Sequence, residues 1–180
     1  SYSSPKQVGS LTTWSNIFNS NVQNILALQT NGTLWGWGDN EYGNLGLNNL
    51  TSYSSPKQIG SLTNWASASI AVSQTLAVKT DGTLWSWGQN SYGQLGLGNT
   101  TNYSSPKQIG LLTNWLNVSS GRYSSIAVKT NGTLWTWGSN DKGQLGLGNK
   151  TYYSSPKQVG SSASWKTISA GKNNNFGLAY

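Results

Sequence analysis

The chain lacks cysteine and histidine, and it carries only four carboxylates, Asp39, Glu41, Asp81 and Asp141. Without cysteine there are no disulfides and no thiolate metal sites. Without histidine the commonest general base, zinc ligand and near-neutral pH switch are all missing. A glycosidase pair would need two carboxylates about 5 to 9.5 Å apart across a cleft, and nothing in the spacing supports one. Asp39 and Glu41 could meet a cation, but two residues do not make a site. Enzyme chemistry, a cofactor and a bound metal are therefore not expected. No segment approaches the ~18 continuous apolar residues of a membrane-spanning helix, so membrane insertion is not expected either. The opening Ser1-Tyr2-Ser3-Ser4-Pro5-Lys6 has no signal-peptide pattern.

Charge is also scarce. Eleven Lys and Arg against four acids give +7, yet only 8% of residues are charged. Such a surface is built from Asn, Ser, Thr, Gln and Gly, and it suits a β-scaffold in an extracellular or virion setting better than a cytoplasmic one. Ten Trp and regular apolar alternation argue against disorder.

What the chain does have is repetition. Tyr-Ser-Ser-Pro-Lys-Gln-(Val/Ile)-Gly recurs at Tyr2, Tyr53, Tyr103 and Tyr153, at intervals of 51, 50 and 50 residues. A lone Trp follows each time: Trp14, Trp65, Trp115 and Trp165. (Asn/Asp)-Gly-Thr-Leu-Trp-x-Trp-Gly recurs from Asn31, Asp81 and Asn131, and leads through Asn40, Asn90 and Asn140 into Gly-x-Leu-Gly-Leu. One domain of residues 1–180 follows, with repeats 2–52, 53–102 and 103–152 and a partial repeat 153–180. One extra residue between Trp14 and Leu26, a loop insertion or a bulge, accounts for the longer first interval.

Each repeat supplies four short strand candidates and no sustained 3.6-residue period. The first is the segment after each proline, Gln7-Val8 and its equivalents, where proline favours an extended start. The second is Trp65 to Ala71, the third Thr75 to Lys79 with Leu76 and Val78 at period two, and the fourth Thr83 to Trp87. Asp81-Gly82 and its Asn-Gly equivalents are hairpin turn signals. Four strands in about 50 residues make a propeller blade, which must stack on neighbours to bury its faces. The expected fold is an all-β propeller of four-stranded blades, incomplete in this chain: three full repeats plus a partial fourth.

The run from Asp81 to Gly98, with Ser-Pro-Lys-Gln-Ile, Trp65 and Leu76-Ala-Val-Lys79 before it, resembles the repeat of the RCC1-like (regulator of chromosome condensation) superfamily, in its bacterial or phage style. The resemblance covers essentially the whole chain. It implies four-stranded antiparallel blades, commonly about seven in a ring. Family functions range from guanine nucleotide exchange with histone and DNA contact to β-lactamase inhibition, so membership does not select a function. Family repeats often read Gly-x-x-His before the third candidate strand. Here Asn24, Gln74, Ser124 and Asn174 hold the His position, and Asn21, Ala71, Gly121 and Gly171 the Gly position.

The last piece stops before a Gly-Thr-Leu-Trp-x-Trp strand. An unfinished ring exposes apolar faces and strand edges, so the expected partner is another protein or further copies of the chain completing the ring. The expected function is a non-catalytic protein-interaction or structural assembly module. Partner-binding positions are sought where the repeats vary: Asn19, Asn21 and Gln23 in the first, Arg122 and Tyr123 in the third, Lys172 and Asn174 in the last. A glycan-binding module using exposed Trp and Tyr with Asn and Gln is the alternative. Lys6, Lys57, Lys107 and Lys157 repeat in register and would form a basic arc, a weak polyanion track. Nucleic acid is disfavoured because its binders cluster charge more densely. Trp14, Trp65, Trp115 and Trp165 are expected in the core between blades. Of the paired Trp85 and Trp87, one is expected between blades and the other toward the rim. The Gly-x-x-Gly spacing lacks the helix start and lysine of a phosphate loop. Asn-x-Ser/Thr triplets at Asn31, Asn49, Asn99, Asn117, Asn131 and Asn149 arise readily in such turns and matter only in a eukaryotic secretory route.

Overall fold

The computed structural model of the chain describes residues 7–8, 12–19, 23–171 and 175–179, the last stretch as backbone. Every regular element among the described residues is a strand. Strands β1 (Trp14–Asn19), β2 (Asn24–Gln29), β3 (Leu34–Gly38) and β4 (Tyr53–Gln58) form one antiparallel sheet in sequence order. Strands β5 (Trp65–Ile70), β6 (Gln74–Lys79), β7 (Leu84–Gly88) and β8 (Tyr103–Gln108) form the second. Strands β9 (Trp115–Ser120), β10 (Ser124–Lys129), β11 (Leu134–Gly138) and β12 (Tyr153–Gln158) form the third, and β13 (Trp165–Ala170) pairs with β14 (Asn175–Ala179). These are three full blades and the first half of a fourth.

Tight turns between the second and third strands follow from Asn-Gly and Asp-Gly. Gly82 has φ 76°, a conformation that costs glycine little. Asp81 accepts at Oδ1 from the Thr83 amide (2.9 Å) and hydroxyl (2.6 Å), which closes the turn. Asn31 and Asn131 do the same with Thr33 and Thr133. The register β1 makes with β2, Asn19 opposite Ile25, matches Ile70 opposite Thr75 in the second blade. The extra residue of the first repeat therefore falls in the connection between these strands, not in the strands themselves.

One expectation needs correction. The extended segment does not begin after each proline. It runs ahead of and through it, as in Tyr53–Gln58, with Pro56, Pro106 and Pro156 inside the strand. Proline is tolerated there because β4, β8 and β12 are the outer strands of their sheets and have a free edge. The sheets thus straddle the sequence repeat: the Tyr-Ser-Ser-Pro-Lys-Gln that opens one repeat closes the blade before it. The first strands β5, β9 and β13 touch one another across successive sheets, which puts them on the inner side of the arc.

The period-two reading of Thr75 to Lys79, which lies in the second strand of its sheet, is also incomplete. All six residues of β6 are buried, as are all six of β10. The second and third blades each have a neighbour on both faces, so odd and even residues enter two different cores. Ala77 joins Trp65, Ala68, Ile70 and Trp87 against Leu26, Leu28, Leu34 and Ile59 of the first blade. Leu76, Val78, Leu84 and Ile109 face Trp115, Val118, Ala127 and Trp137 of the third. The core therefore lies between blades: the aliphatic face of one blade packs on the tryptophan face of the next.

Candidate functional site

The loop after each third strand fixes the junction to the next blade. Asn40 is fully buried; its Nδ2 donates to the carbonyls of Asn49 (3.0 Å) and Thr51 (3.1 Å), and its Oδ1 accepts from the Leu45 amide (2.9 Å). Asn140 repeats the arrangement, and Asn90 repeats its bonds to the Asn99 carbonyl and from the Leu95 amide. The loop so held offers the Asn44 carbonyl to the next blade, where Trp87 Nε1 (2.9 Å) and Thr75 Oγ1 (2.8 Å) donate to it. At the following junction the Gln94 carbonyl accepts from Trp137 Nε1 (2.8 Å) and Ser125 Oγ (2.7 Å). Gly46 and Gly96 must be glycine: a Cβ at either would sit 2.7 Å from the indole nitrogen it packs on. Gln74, at the position where related repeats carry His, is fully buried and donates through Nε2 to the Gly121 (2.9 Å) and Ser124 (3.0 Å) carbonyls of the next blade. That position is structural here.

Trp65 and Trp115 are buried, whereas Trp14 and Trp165, in the end blades, are half-buried. Trp65 touches both Trp85 and Trp87, with ring centroids 6.1 and 5.8 Å away, so the pair shares one face. Trp87 is fully buried, while Trp85 is half-buried with the Lys79 ammonium 3.7 Å from its ring centroid. Burial pulls the Lys79 and Lys129 amines below their ordinary range, the nearby Asp81 opposing this for Lys79. Lys57, Lys107 and Lys157 stand exposed on the outer strands, each ammonium 5.3 to 5.4 Å from the ring centroid of Tyr53, Tyr103 or Tyr153. Asn19 is exposed at the end of β1, and Gln23 is exposed beside β2. Lys6, Asn21, Lys172 and Asn174 lie outside the described residues.

Two concave sites lie at the junction of the second and third blades, at opposite ends of the strands. The first is a groove of about 360 Å³ lined by residues that include Leu97, Ile109, Leu112, Trp115, Trp135 and Pro156. Its rim belongs to the crossover from β8 to β9, where Leu111 is 92% and Leu112 50% exposed. Ser61 and Ser161 stand where Leu111 does, so this apolar rim is not demanded by the repeat.

The second is a polar cleft of about 180 Å³ lined by Tyr92, Tyr123, Ser124, Ser139, Asp141, Gln144 and Tyr152. The connections β7–β8, β9–β10 and β11–β12 bring these residues together. Tyr92 lies 4.8 Å from Tyr123 and 5.9 Å from Tyr152 between ring centroids, at interplanar angles of 50° and 68°. Arg122 lies on the Tyr123 ring at 4.9 Å. Hydrogen bonding from the Gln144 side chain, helped by Lys142 and Ser139, holds the Asp141 carboxyl below the usual carboxylate range. Lys142 Nζ is 3.3 Å from Asp141 Oδ2, both side chains being solvent-accessible. Sequence variation singled out Arg122 and Tyr123 but missed Tyr92, Asp141 and Tyr152. Tyr92 matches Tyr42 and so reads as repeat consensus. Setting the repeats side by side would have found Tyr152, which replaces Asn102 and Ser52.

The family model described as the regulator of chromosome condensation (RCC1) repeat matches residues 31–78, 81–128 and 131–178. The chain belongs to the RCC1 repeat family. A second RCC1 repeat model matches residues 115–144. No curated protein sequence matches the chain. Solved structures share the fold. Human WBSCR16 is 22% identical at a TM-score of 0.80, covering 93% of this chain and 44% of its own. Prp20p from Saccharomyces cerevisiae, described with its binding properties to Gsp1p and histones, is 20% identical at a TM-score of 0.82, covering 95% of this chain and 45% of its own. Yeast RCC1 (Prp20) bound to Kap60 matches equally well, at 20% identity and a TM-score of 0.82, covering 96% of this chain and 43% of its own. This RCC1-repeat chain therefore spans less than half the length of those solved chains.

Proposed function

We propose that the chain is a non-catalytic protein-interaction module that meets its partner through the apolar rim and groove at the junction of the second and third blades. The observation that carries this reading is Leu111, 92% exposed beside Leu112 and a groove containing Trp115 and Trp135. A contiguous apolar surface rimmed by polar residues marks a binding site, and aromatic residues are enriched in interface cores. Kinship with repeat propellers described as binding other proteins supports the class of function, not the partner.

Completion of the fourth blade is a second part of the same reading. In each full sheet the second strand pairs with a Leu-Trp-x-Trp-Gly strand, whereas β14 pairs with β13 alone among the described residues. All three Leu-Trp-x-Trp-Gly segments of the chain already occupy their own blades. The complement that fits β14 is therefore a polypeptide segment carrying that pattern.

The test compares the wild-type chain with Leu111→Ser/Leu112→Ser, which installs the residues found at Ser161 and Ser162. Both are used as bait for cross-linking against cell extract, and captured proteins are identified by mass spectrometry. A partner captured by the wild type and lost by the folded variant supports the reading. Identical capture by both overturns it.

A further inference from the structure

The tyrosine cleft at the other end of the strands calls for a ligand of a different kind. On one side three phenol rings are set at angles to one another, with Tyr92 37% and Tyr152 46% exposed. Its floor is a hydrogen-bonding surface. Asp141 Oδ1 accepts from Gln144 Nε2 at 3.2 Å and from Ser139 Oγ at 3.4 Å, Gln144 Nε2 also reaches Ser139 Oγ at 3.3 Å, and Gln144 Oε1 accepts from the Lys142 amide at 2.9 Å. These planar polar groups are held in place before any ligand arrives, which lowers the cost of ordering them.

Charge decides the ligand class. The single carboxylate is matched by Lys142 at 3.3 Å, and Arg122 lies on the neighbouring Tyr123 ring. A bare cation would meet two positive side chains, and an anion would meet Asp141. A neutral ligand bearing hydroxyl groups is favoured, because each hydroxyl both donates and accepts and can use either partner. The aromatic wall asks the same ligand for an apolar face. The cleft, at about 180 Å³, is smaller than the ~300 to 1,000 Å³ of sites for drug-sized molecules. It suits one small ring, not a strand or a helix.

The scaffold does not require this arrangement. At the junction of the first and second blades the corresponding positions are Tyr42, Val72, Ser73, Gln89, Ser91 and Asn102. One tyrosine of three remains there, and the acid and the guanidinium are gone. We propose that the cleft of Tyr92, Tyr123 and Tyr152 over Asp141, Gln144 and Ser139 binds one neutral sugar ring of a glycan, the pyranose C–H face against the tyrosines and its hydroxyls on the polar floor. This goes beyond the protein-interaction reading and does not rest on it, since it uses different residues at the opposite end of the strands.

The experiment is a titration of the 180-residue chain with neutral glycans ending in glucose, galactose, mannose or N-acetylglucosamine. Saturation-transfer NMR reports the bound ring, and choline serves as the cationic comparison. At least one neutral sugar binds saturably. Tyr152→Ala and Asp141→Asn each weaken it by about tenfold or more, equivalent to about 1.4 kcal/mol, while Leu111→Ser/Leu112→Ser leaves it unchanged. Thermal melting verifies that each variant folds. Tyr152, nearly half exposed, keeps the test usable if Tyr123→Ala does not fold. The proposal is overturned if no sugar saturates, if the bound sugar is indifferent to Tyr152→Ala and Asp141→Asn, or if choline binds in the sugars' place.

Discussion

The two complete blade junctions share one framework and differ at their ends. In both, a buried indole and a hydroxyl donate to one loop carbonyl: Trp87 and Thr75 to Asn44, then Trp137 and Ser125 to Gln94. In both, a glycine lies against that indole. The differences lie in the connections. The second junction has Leu111 at one end, and Arg122, Tyr123, Asp141 and Tyr152 at the other. The first has Ser61, and Val72, Ser73, Ser91 and Asn102. Identity at the shared positions serves folding, and divergence at the others is free to serve recognition, as is usual for loops on a rigid scaffold.

The largest effect should come from breaking the shared framework. Trp137→Ala removes a fully buried side chain and should cost about 3 to 5 kcal/mol, read as a loss of roughly 10 °C or more in the melting temperature of a chain this size. Trp37, half-buried at the first blade, should cost less on the same substitution. Equal losses would contradict the claim that the indole acts through its neighbour blade.

Next in size is Gly96→Ala, which places a methyl 2.7 Å from Trp137 Nε1 at φ 73°. Gly146→Ala has φ 68°, but its nearest neighbour is 3.6 Å away. Both substitutions carry backbone strain; only the first adds a clash. Urea denaturation should therefore find Gly96→Ala the more destabilised of the two, and the reverse order would undermine the assignment.

The smallest effect concerns Asp81, whose turn partner Thr83 holds its carboxyl below the ordinary value near 3.8. A depressed folded value means that the charge stabilises the fold at pH above the unfolded value. The contribution falls as pH drops from there through the still lower folded value. The group is exposed, so the gain is small. Asp81→Asn, which installs the residue found at Asn31 and Asn131, should lower the melting temperature slightly at pH 7. The gap should shrink as the pH falls below about 4 and close well below that. A gap that widens toward acid would reverse the sign.

The fold was legible because each repeat writes its turns, its Trp-x-Trp strand and its lone Trp in the same places. The phase of the blades was less so. Proline marks an extended segment in the sequence, but an outer edge strand tolerates it internally, and only the sheet pairing reveals that edge. Burial of Ala77 was also hidden, since period two describes one face and a propeller blade covers both. The tyrosine cleft was half visible: Arg122 and Tyr123 depart from their repeats, but their partners come from three separate connections that only stacking of two blades brings together. Tyr92 carried no signal at all, being shared with Tyr42.

The most direct test gives the second junction two exposed end residues of the first, as Asp141→Ser and Tyr152→Asn in one chain, and follows thermal unfolding. Exposed substitutions usually stay within about 0.5 kcal/mol each. The account therefore predicts one cooperative transition within a few degrees of the wild type, from a protein that no longer holds a sugar in the cleft. A fall as large as that of Trp137→Ala would show that these residues support the fold, and the division between framework and recognition surface would be wrong.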